Sequence, residues 1–311
     1  MLRAGLLWLS EQPQIFRFVR SSRLAQKFAS RFVAGETVAS AIGVLKDLNT
    51  ANLTVSLDLL GESVHSPEEA KAAQQAYLEL LDRIQSEGGN GNVSVKLTQM
   101  GLDIDEALCV ANLRSIIGRA KQYHSFVRLD MEGSDYTERT LSLFTRTLYP
   151  EFGQTTGVVL QSYLRRTAQD VDAMIGLAAR VRLCKGAYQE PATVAFPNKA
   201  DVDANYVACM EQLMERGNYP GLATHDEKII EHAKEFAKQK GIGAERFEFQ
   251  MLYGVRRDLQ VKLRKEGWNL RVYVPYGTHW YPYLMRRLAE RPANLWFILG
   301  NVIRESLRRK N

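Results

Sequence analysis

The sequence predicts a distorted (β/α)8 barrel with additional N-terminal helices, because short β-rich runs alternate eight times with longer segments of helical period. The length of 311 residues suits one barrel of this kind. A doubly wound open sheet is the architectural alternative, but such sheets usually have fewer strands, and no glycine-rich dinucleotide-binding motif follows a strand here. We therefore predict that residues 1–49 form an N-terminal helical region packed on the barrel and that residues 50–311 form the catalytic barrel, within one structural domain.

The elements follow one another regularly after a helical region that ends near Asn49. The predicted strands are apolar runs rich in β-branched and aromatic residues: Leu53–Leu60, Val93–Thr98, Phe126–Glu132, Gly157–Leu164, Val181–Tyr188, Gly221–His225, Phe247–Leu252 and Arg271–Tyr276. The predicted helices between them have apolar residues at a period near 3.6: Pro67–Glu87, Ile104–Tyr123, Tyr136–Leu148, Ala168–Arg180, Val202–Arg216, Glu227–Lys240 and Arg257–Glu266.

Composition and charge narrow the class of protein. With 45% hydrophobic and 24% charged residues, the chain can bury a full core. Cys109, Cys184 and Cys209 are far apart and lack the spacing of a zinc or redox motif, which favours a reducing compartment and a soluble, cytoplasmic protein. The net charge of +6 is spread along the chain rather than clustered with aromatic residues, so we expect no nucleic-acid partner.

Both ends of the chain mix basic and apolar residues, at Met1–Arg31 and at Leu295–Arg309. Two interpretations are open for each end. Either the segment forms an amphipathic helix packed on the body of the protein, or it contacts an anionic membrane surface from the cytoplasmic side.

Polar residues interrupt the predicted strands near their carboxyl ends. A strand covered on both faces should read as a continuous apolar run. In barrels of this class, functional groups lie at the carboxyl ends of the strands and in the loops that follow. The repeated interruptions therefore predict a site there, formed by Lys96, Asp130, Gln161, Arg182, Lys185, Thr224 and His225.

The segment after the eighth strand predicts a helix with two adjacent arginines. Tyr283, Arg286, Arg287 and Glu290 follow the spacing i, i+3, i+4, i+7 and share roughly one helix face. Because each guanidinium group matches a carboxylate with two parallel donors, this face is a candidate anion clamp. A solvated basic face paired with Glu290 is the alternative.

The predicted site has an excess of positive charge, which favours a carboxylate substrate or a cofactor that becomes anionic. His225 lacks accompanying ligands at metal-binding spacing, so we expect no metal and a hydrogen-bonding role. No nucleophile elbow supports a serine triad. Two classes remain open on these residues alone: an enzyme that forms a Schiff base on Lys96 or Lys185, and a redox enzyme.

Several ordered motifs resemble one known family over nearly the whole chain. They are RFVAGET at Arg31–Thr37, SVKLTQMGLDID at Ser94–Asp105, RLDME at Arg128–Glu132, VLQSYLRR at Val159–Arg166, RLCKGAY at Arg182–Tyr188, ATHD at Ala223–Asp226, FEFQMLYG at Phe247–Gly254, VYVPYG at Val272–Gly277 and RRLAERPAN at Arg286–Asn294. In these motifs the sequence resembles the monofunctional bacterial proline dehydrogenases.

The resemblance implies a flavoprotein that binds FAD and oxidises L-proline to 1-pyrroline-5-carboxylate, the first step of proline catabolism. The hydride passes to flavin N5 and the electrons then pass to a quinone. The chain is too short for the aldehyde-oxidising domain of bifunctional relatives, so we expect a separate 1-pyrroline-5-carboxylate dehydrogenase to use the product. A hydroxyproline dehydrogenase remains an alternative, and a lysine Schiff-base aldolase is a more distant one.

The resemblance also implies roles for individual residues. Asp130 and Arg182 are the expected catalytic residues, with Arg182 near flavin N5 and Asp130 beside Lys96, which it helps to orient. Glu290 is expected to brace an arginine. The expected substrate-binding residues are Lys96, Leu252, Tyr273, Tyr283, Arg286 and Arg287. The expected FAD-binding residues are Met131, Gln161, Arg182, Lys185, Gly186, Ala187, Thr224 and His225, and Gly186 is expected to let the backbone approach the cofactor.

The sequence departs from the family pattern at two positions. The family more often has alanine where Ser162 stands and valine where Cys184 stands. Alternation with Leu183 and Lys185 suggests that Cys184 faces the surrounding helices. His279, in the loop after the eighth strand, has no assigned role.

Overall fold

The computed structural model describes the backbone of residues 29–290 and the side chains of residues 29–285. Its eight strands are all parallel and pair in sequence order, and β1 also pairs with β8, which closes the barrel. The predicted (β/α)8 barrel is therefore confirmed. The strands are β1 (Thr54–Leu59), β2 (Gly91–Lys96), β3 (Val127–Asp130), β4 (Thr156–Gln161), β5 (Arg180–Cys184), β6 (Gly221–Ala223), β7 (Glu248–Leu252) and β8 (Leu270–Tyr276).

Helices lie before the first strand and after each strand, and they cover the outside of the barrel. They are α1 (Val38–Thr50), α2 (Pro67–Ser86), α3 (Glu106–Gln122), α4 (Ser134–Leu143), α5 (Thr167–Gly176), α6 (Lys199–Arg216), α7 (Glu227–Lys240), α8 (Arg257–Lys265) and α9 (Trp280–Glu290). Within residues 29–290, no helix combines the length and the apolar character that crossing a membrane requires.

Local sequence signals fix where several helices begin. Ser66 accepts a hydrogen bond from Glu69 N, and Pro67 follows it at the first helical position of α2. Asp105 caps α3 through Leu108 N, and Asp226 caps α7 through Lys228 N. These caps begin each helix soon after a strand, so that its apolar face packs on the strands.

Some predicted elements are too long or are interrupted. The predicted strand Val181–Tyr188 ends at Cys184, because Gly186 has a φ of +104° and leaves the extended conformation. The predicted helix Tyr136–Leu148 is α-helical only to Leu143 and continues as a π-helical turn at Phe144–Leu148. Pro150 follows that turn and has no N–H to donate back to the helix.

The segment 29–37 crosses the carboxyl end of β8 and leads into α1. Ala34 N donates to Pro275 O at 2.8 Å, and Gly277 N donates to Gly35 O at 2.9 Å. Trp280 Nε1, at the first residue of α9, donates to Glu36 Oε1 at 2.9 Å. The buried residues of α1 belong to the same apolar core as the barrel strands. Residues 1–28 and 291–311 lie outside the described residues, so the division at residue 49 and the contacts of both chain ends stay predictions.

Candidate active site at the carboxyl ends of the strands

Arg182 lies at the centre of the polar groups in the upper part of the barrel interior. We use upper part for the half nearer the carboxyl ends of the strands and lower part for the other half. Its Nη1 donates to Asp130 Oδ1 at 2.7 Å and its Nε donates to Gln250 Oε1 at 2.6 Å. Its Nη2 donates to Ser94 Oγ at 3.1 Å and to Ser56 Oγ at 3.3 Å. Because Arg182 is only 5% exposed, these side chains fix the position of a positive charge that water hardly screens.

Asp130 connects Arg182 to Tyr273. The Tyr273 hydroxyl donates to Asp130 Oδ2 at 2.8 Å, and its ring centroid lies 5.0 Å from Arg182 Cζ. Burial raises the pKa of Tyr273 well above its ordinary value of 10.0, and the negative charge of Asp130 raises that pKa further. Tyr273 is therefore a neutral hydrogen-bond donor, and each carboxylate oxygen of Asp130 accepts one hydrogen bond.

Lys96 forms a second buried ion pair, with Asp58 at the carboxyl end of β1. Its Nζ lies 2.9 Å from Asp58 Oδ1 and 3.2 Å from Oδ2. Burial lowers the pKa of Lys96, but the charges of Asp58 and Asp130 outweigh burial and raise that pKa above its ordinary value. Burial also raises the pKa of Asp58, and Lys96 opposes this rise. At a separation of 2.9 Å we take the pair as ionised.

The expected orientation of Lys96 by Asp130 is corrected by this geometry. Asp130 is the neighbour of Lys96 in the β2–β3 register, as expected. However, its oxygens accept from Arg182 and Tyr273, and Asp58 holds the ammonium group.

Gln161 has a buried acceptor atom without a donor. Its Nε2 donates to Met131 O at a long 3.5 Å, which brings these two expected cofactor residues together. Gln161 is 4% exposed, and its Oε1 has no hydrogen-bond partner among the residues that the structure describes. An unsatisfied buried acceptor is unfavourable by about 1–3 kcal/mol, so this atom suits a ligand that donates an N–H or O–H.

Thr224 and His225 follow β6 directly and are oriented by the neighbouring loops. The Leu252 N–H donates to His225 Nε2 at 3.0 Å. When the imidazole is neutral, its proton therefore lies on Nδ1. Thr224 Oγ1 accepts from Asp226 N at 3.1 Å. His225 is thereby placed beside Leu252, one of the expected substrate-binding residues.

Lys185 lies one residue beyond β5 and binds two carboxylates. Its Nζ is 2.5 Å from Asp203 Oδ1 and 3.0 Å from Asp226 Oδ2. Ala187, two residues later, is exposed. This lysine therefore binds Asp203 of α6 and the cap of α7, apart from the contacts of Arg182 and Lys96.

Gly186 is needed for a reason that the sequence did not predict. A Cβ added at this position would lie 2.2 Å from the Tyr163 ring, and its φ of +104° also favours glycine. The neighbour that approaches Gly186 within the protein is therefore Tyr163.

Two residues without a firm sequence-based role are also placed. Alternation along β5 puts Cys184 on the same face as Arg182, and its neighbour in the β4–β5 register is Gln161. Cys184 is half-buried and packs on the apolar core, so the expectation that it faces the helices stays a prediction. His279 is exposed, with its Nδ1 3.4 Å from Thr278 Oγ1.

The predicted anion clamp is only partly within the described residues. The helix itself is confirmed as α9, and Tyr283 in it is 8% exposed. Leu252 and Tyr273 are half-buried. The side chains of Arg286, Arg287 and Glu290 lie outside the described residues.

Sequence reasoning missed four polar residues of this site: Ser56, Asp58, Ser94 and Gln250. Each lies on a strand and contacts Arg182 or Lys96. Asp58 had a readable signal, because it interrupts the apolar run Leu57–Leu60 in the same way as the residues that were chosen on other strands. Gln250 had one too, since Glu248 and Gln250 place two polar groups on one face of an otherwise apolar strand.

Comparisons of sequence identify relatives of this chain. The family described as proline dehydrogenase matches residues 41–298. The chain is 43% identical over 308 residues to a proline dehydrogenase of Deinococcus radiodurans, with 98% of each chain covered. It is 42% identical over 307 residues to proline dehydrogenase 1 of Bacillus subtilis, with 98% of this chain and 100% of that protein covered.

Comparisons of structure find similar barrels in larger proteins. Proline utilization A from Bdellovibrio bacteriovorus, inactivated by N-propargylglycine, superposes with a TM-score of 0.81 at 29% identity. The match covers 89% of this chain and 34% of that one. A mutant of proline utilization A from Bradyrhizobium japonicum gives a TM-score of 0.75 at 27% identity, covering 87% of this chain and 31% of that one.

Proposed function

Because the chain belongs to the proline dehydrogenase family, we propose that it oxidises L-proline to 1-pyrroline-5-carboxylate with FAD, and that a quinone takes the electrons. The observation that carries the proposal is the pair of buried cations at the strand ends, Lys96 and Arg182. Each has its own carboxylate partner, so both remain charged in a site that is largely closed to water. Such a site binds a carboxylate and stabilises negative charge as it develops.

The residues near the ends of β3 to β6 fit a flavin. The unpartnered Oε1 of Gln161 is available to an N–H donor, and the fixed charge of Arg182 suits an electron-accepting ring. When bound there, FAD supplies the acceptor for a hydride. The residues that we propose hold it are Met131, Gln161, Arg182, Lys185, Gly186, Ala187, Thr224 and His225.

The proline carboxylate is assigned to Lys96 together with Arg286 and Arg287. The Lys96 ammonium has three N–H donors, and its contact with Asp58 leaves at least one of them for a ligand. Arg286 and Arg287 follow Tyr283 on α9, with Glu290 one turn further on. Leu252, Tyr273 and Tyr283 supply the apolar and aromatic surface for the ring.

The reaction removes a hydride from the ring CH2 beside nitrogen, not from the carbon that bears the carboxylate. A proton leaves that nitrogen, and a C=N bond results. Arg182 stabilises the negative charge that the hydride delivers, and Asp130 and Gln250 hold the guanidinium in place. The Asp130 carboxylate already accepts one hydrogen bond on each oxygen, from Arg182 and from Tyr273. We therefore propose that Asp130 holds Arg182 and Tyr273 in place and that water accepts the amine proton.

The lysine geometry argues against the Schiff-base alternative. A Schiff-base lysine must lose its proton to become a nucleophile, which usually requires a lowered pKa. Here the pKa of Lys96 is raised by Asp58 and Asp130 after burial is taken into account. Lys185 is paired with two carboxylates.

The further partners are part of the same proposal. A separate 1-pyrroline-5-carboxylate dehydrogenase uses the product in this proposal. The protein is cytoplasmic and contacts the inner face of the membrane peripherally, where it reaches the quinone.

The first test is the colour of the purified protein. We expect the absorbance spectrum of a bound flavin, and we expect L-proline to bleach it without oxygen. The same measurement with hydroxyproline compares the two ring substrates. A colourless protein, or a flavin that L-proline does not bleach, would contradict the proposal.

The second test assigns the carboxylate contacts. Lys96→Met combined with Asp58→Asn removes the ammonium without leaving a buried unpaired carboxylate, and we expect the Kd for L-proline to rise at least 30-fold while the flavin stays bound. Losing a buried charge-assisted contact typically costs about 2–5 kcal/mol. Arg286→Met and Arg287→Met should weaken proline binding in the same way. The matched control is Lys71→Met on the exposed face of α2, which should leave the Kd unchanged.

A further inference from the structure

The side-chain amide of Gln250 contacts the guanidinium of Arg182 inside the barrel. Arg182 Nε donates to Gln250 Oε1 at 2.6 Å, and Gln250 is 3% exposed. An amide group has nearly the same shape in either of two orientations, but only its oxygen accepts a hydrogen bond from a guanidinium. Arg182 therefore faces the oxygen end of the amide, and the NH2 end needs an acceptor of its own.

Glu248 supplies this acceptor and so holds the amide from its other end. Gln250 Nε2 donates to Glu248 Oε1 at 2.6 Å. Because an ionised carboxylate only accepts hydrogen bonds, the NH2 end of the amide must face Glu248 and the oxygen must face Arg182. The two residues are two positions apart on β7 and so lie on the same face of the strand.

Glu248 is itself held as an anion below the site. Arg271 Nε donates to the same Oε1 at 2.7 Å, and Arg271 Nη1 donates to Val55 O at 3.0 Å. Burial alone would raise the pKa of Glu248, but Arg271 and the hydrogen bonds lower it overall. The acceptor for Gln250 is therefore ionised above the ordinary glutamate pKa of 4.5.

We propose that Glu248 is a positioning residue for the redox step, because it fixes the Arg182 charge through the amide of Gln250. This inference rests on the proposed function. Among residues 29–285, Glu248 forms no hydrogen bond or ion pair with Arg182, Lys96 or Tyr273, so its effect on Arg182 passes through the Gln250 side chain. Without that acceptor the NH2 end of the Gln250 amide loses its partner, and the 2.6 Å contact with Arg182 Nε is held from one side only. Nη1 and Nη2 keep theirs.

The test is the double variant Glu248→Met with Arg271→Met. Replacing both members of a buried ion pair by apolar groups of similar volume is often neutral for stability, whereas removing one member leaves an unpaired charge. We expect the bound flavin to become harder to reduce by about tenfold in equilibrium constant, which is about 30 mV for a two-electron couple. We expect kcat to fall about tenfold while KM for proline stays within twofold.

The matched control acts on the other oxygen of the same carboxylate. Tyr219→Phe removes the hydroxyl that lies 3.3 Å from Glu248 Oε2 and leaves both contacts of Oε1 intact. We expect its flavin potential and kcat to equal those of the wild type. A purely structural ion pair would give the double variant a lower melting temperature with an unchanged potential, and that result would overturn the proposal.

Gln250→Met supplies an independent variant that keeps the ion pair. It should shift the potential as the double variant does, and the triple variant should shift it no further, because all three changes act on one contact. Additive shifts, or an unchanged potential in Gln250→Met, would also overturn the positioning role. A wild-type flavin that L-proline does not bleach would instead contradict the proposed function, so the two failures are distinguishable.

Discussion

The upper and lower parts of the barrel interior both bury arginine and lysine, but the partners of these cations differ. Lys96 and Arg182, in the upper part, bind side chains. In the lower part, Arg128 donates to the carbonyl oxygens of Val158 and Arg180 at 3.1 and 2.6 Å. Arg271 binds both Glu248 and the carbonyl of Val55.

The degree of burial alone does not distinguish the residues of a functional site from those of the structural core. The side chains of Lys96 and Arg271 are 13% and 14% exposed, although we assign only Lys96 to the substrate. Unpartnered atoms also occur in both parts, at Gln161 Oε1 above and at Asn92 Oδ1 and Arg128 Nε below. The informative difference is the partner: a cation bound to backbone carbonyls ties strands together, whereas one bound to side chains can share its donors with a ligand.

The largest expected effect is on stability in the lower part. Glu248→Ala leaves Arg271 buried without its counter-ion, so we expect the free energy of unfolding to fall by about 3–5 kcal/mol. The matched control is Glu87→Ala, which removes the partner of Lys46 and Arg83 at the surface and should leave the free energy of unfolding nearly unchanged, because solvent screens exposed ion pairs. Urea unfolding followed by circular dichroism measures both. Equal losses would remove the distinction between a structural ion pair and a surface one.

The next effect is on catalysis and compares two buried arginines. For Arg182→Met we expect kcat to fall by about 10²–10³, the loss typical when a group that stabilises developing charge is removed. For Arg128→Met we expect kcat to stay within threefold, because its contacts are backbone carbonyls of the lower barrel. Anaerobic rates of flavin bleaching at saturating proline measure both. A comparable fall in the two variants would contradict the assignment of the redox step to the upper part.

The third effect is a pH dependence of stability that belongs to the lower ion pair. The folded-state pKa of Glu248 is below its ordinary value of 4.5, so this group stabilises the fold above pH 4.5. That contribution is lost as the pH falls through the folded-state pKa. In Glu248→Met with Arg271→Met, the dependence of unfolding free energy on pH below 4.5 should flatten, by up to about 1.4 kcal/mol per pH unit. An unchanged acid slope would show that Glu248 is not ionised in the folded protein.

The smallest effect compares two tyrosines of β8. Tyr273→Phe removes the hydrogen bond to Asp130, and we expect kcat/KM to fall about fivefold, or about 1 kcal/mol. Arg182 still holds Asp130, which limits the loss. Tyr276→Phe is the matched control, because the Tyr276 hydroxyl is buried without a partner and its removal should not reduce activity or stability. The ratio of kcat/KM between the two variants is the quantity to measure, and a ratio near one would remove Tyr273 from the site.

The barrel could be predicted from the sequence because its signals are local. Each strand is a short apolar run, and each helix between strands has its own period and often its own cap, as at Ser66 and Asp105. Strand ends were less accurate, since the extended conformation after Cys184 is ended by the positive φ of Gly186, which the residue type permits but does not require.

The site was predicted less completely because its contacts connect distant parts of the chain. Lys96 was identified from its strand, but its partner Asp58 is 38 residues earlier, and nothing in the sequence states which carboxylate it binds. Arg182 was assigned to a cofactor from the family resemblance, whereas its contact with Gln250 spans 68 residues. Which side chains meet depends on which strands are neighbours and on which residues point into the barrel. Both are fixed only when the barrel closes.

The contacts of the segment 29–37 with β8 and α9 have a consequence for the order of folding. The Glu36 to Trp280 hydrogen bond joins residues 244 positions apart, and β1 pairs with β8 across a similar separation. Contacts of such high sequence separation form late and slow the search for the native state. During synthesis β1 and the segment before it must wait for almost the whole chain, with one strand edge unpaired. The pairing of β1 with β8 therefore forms last during synthesis, and aggregation of the nascent chain competes with folding most strongly at the unpaired edge of β1.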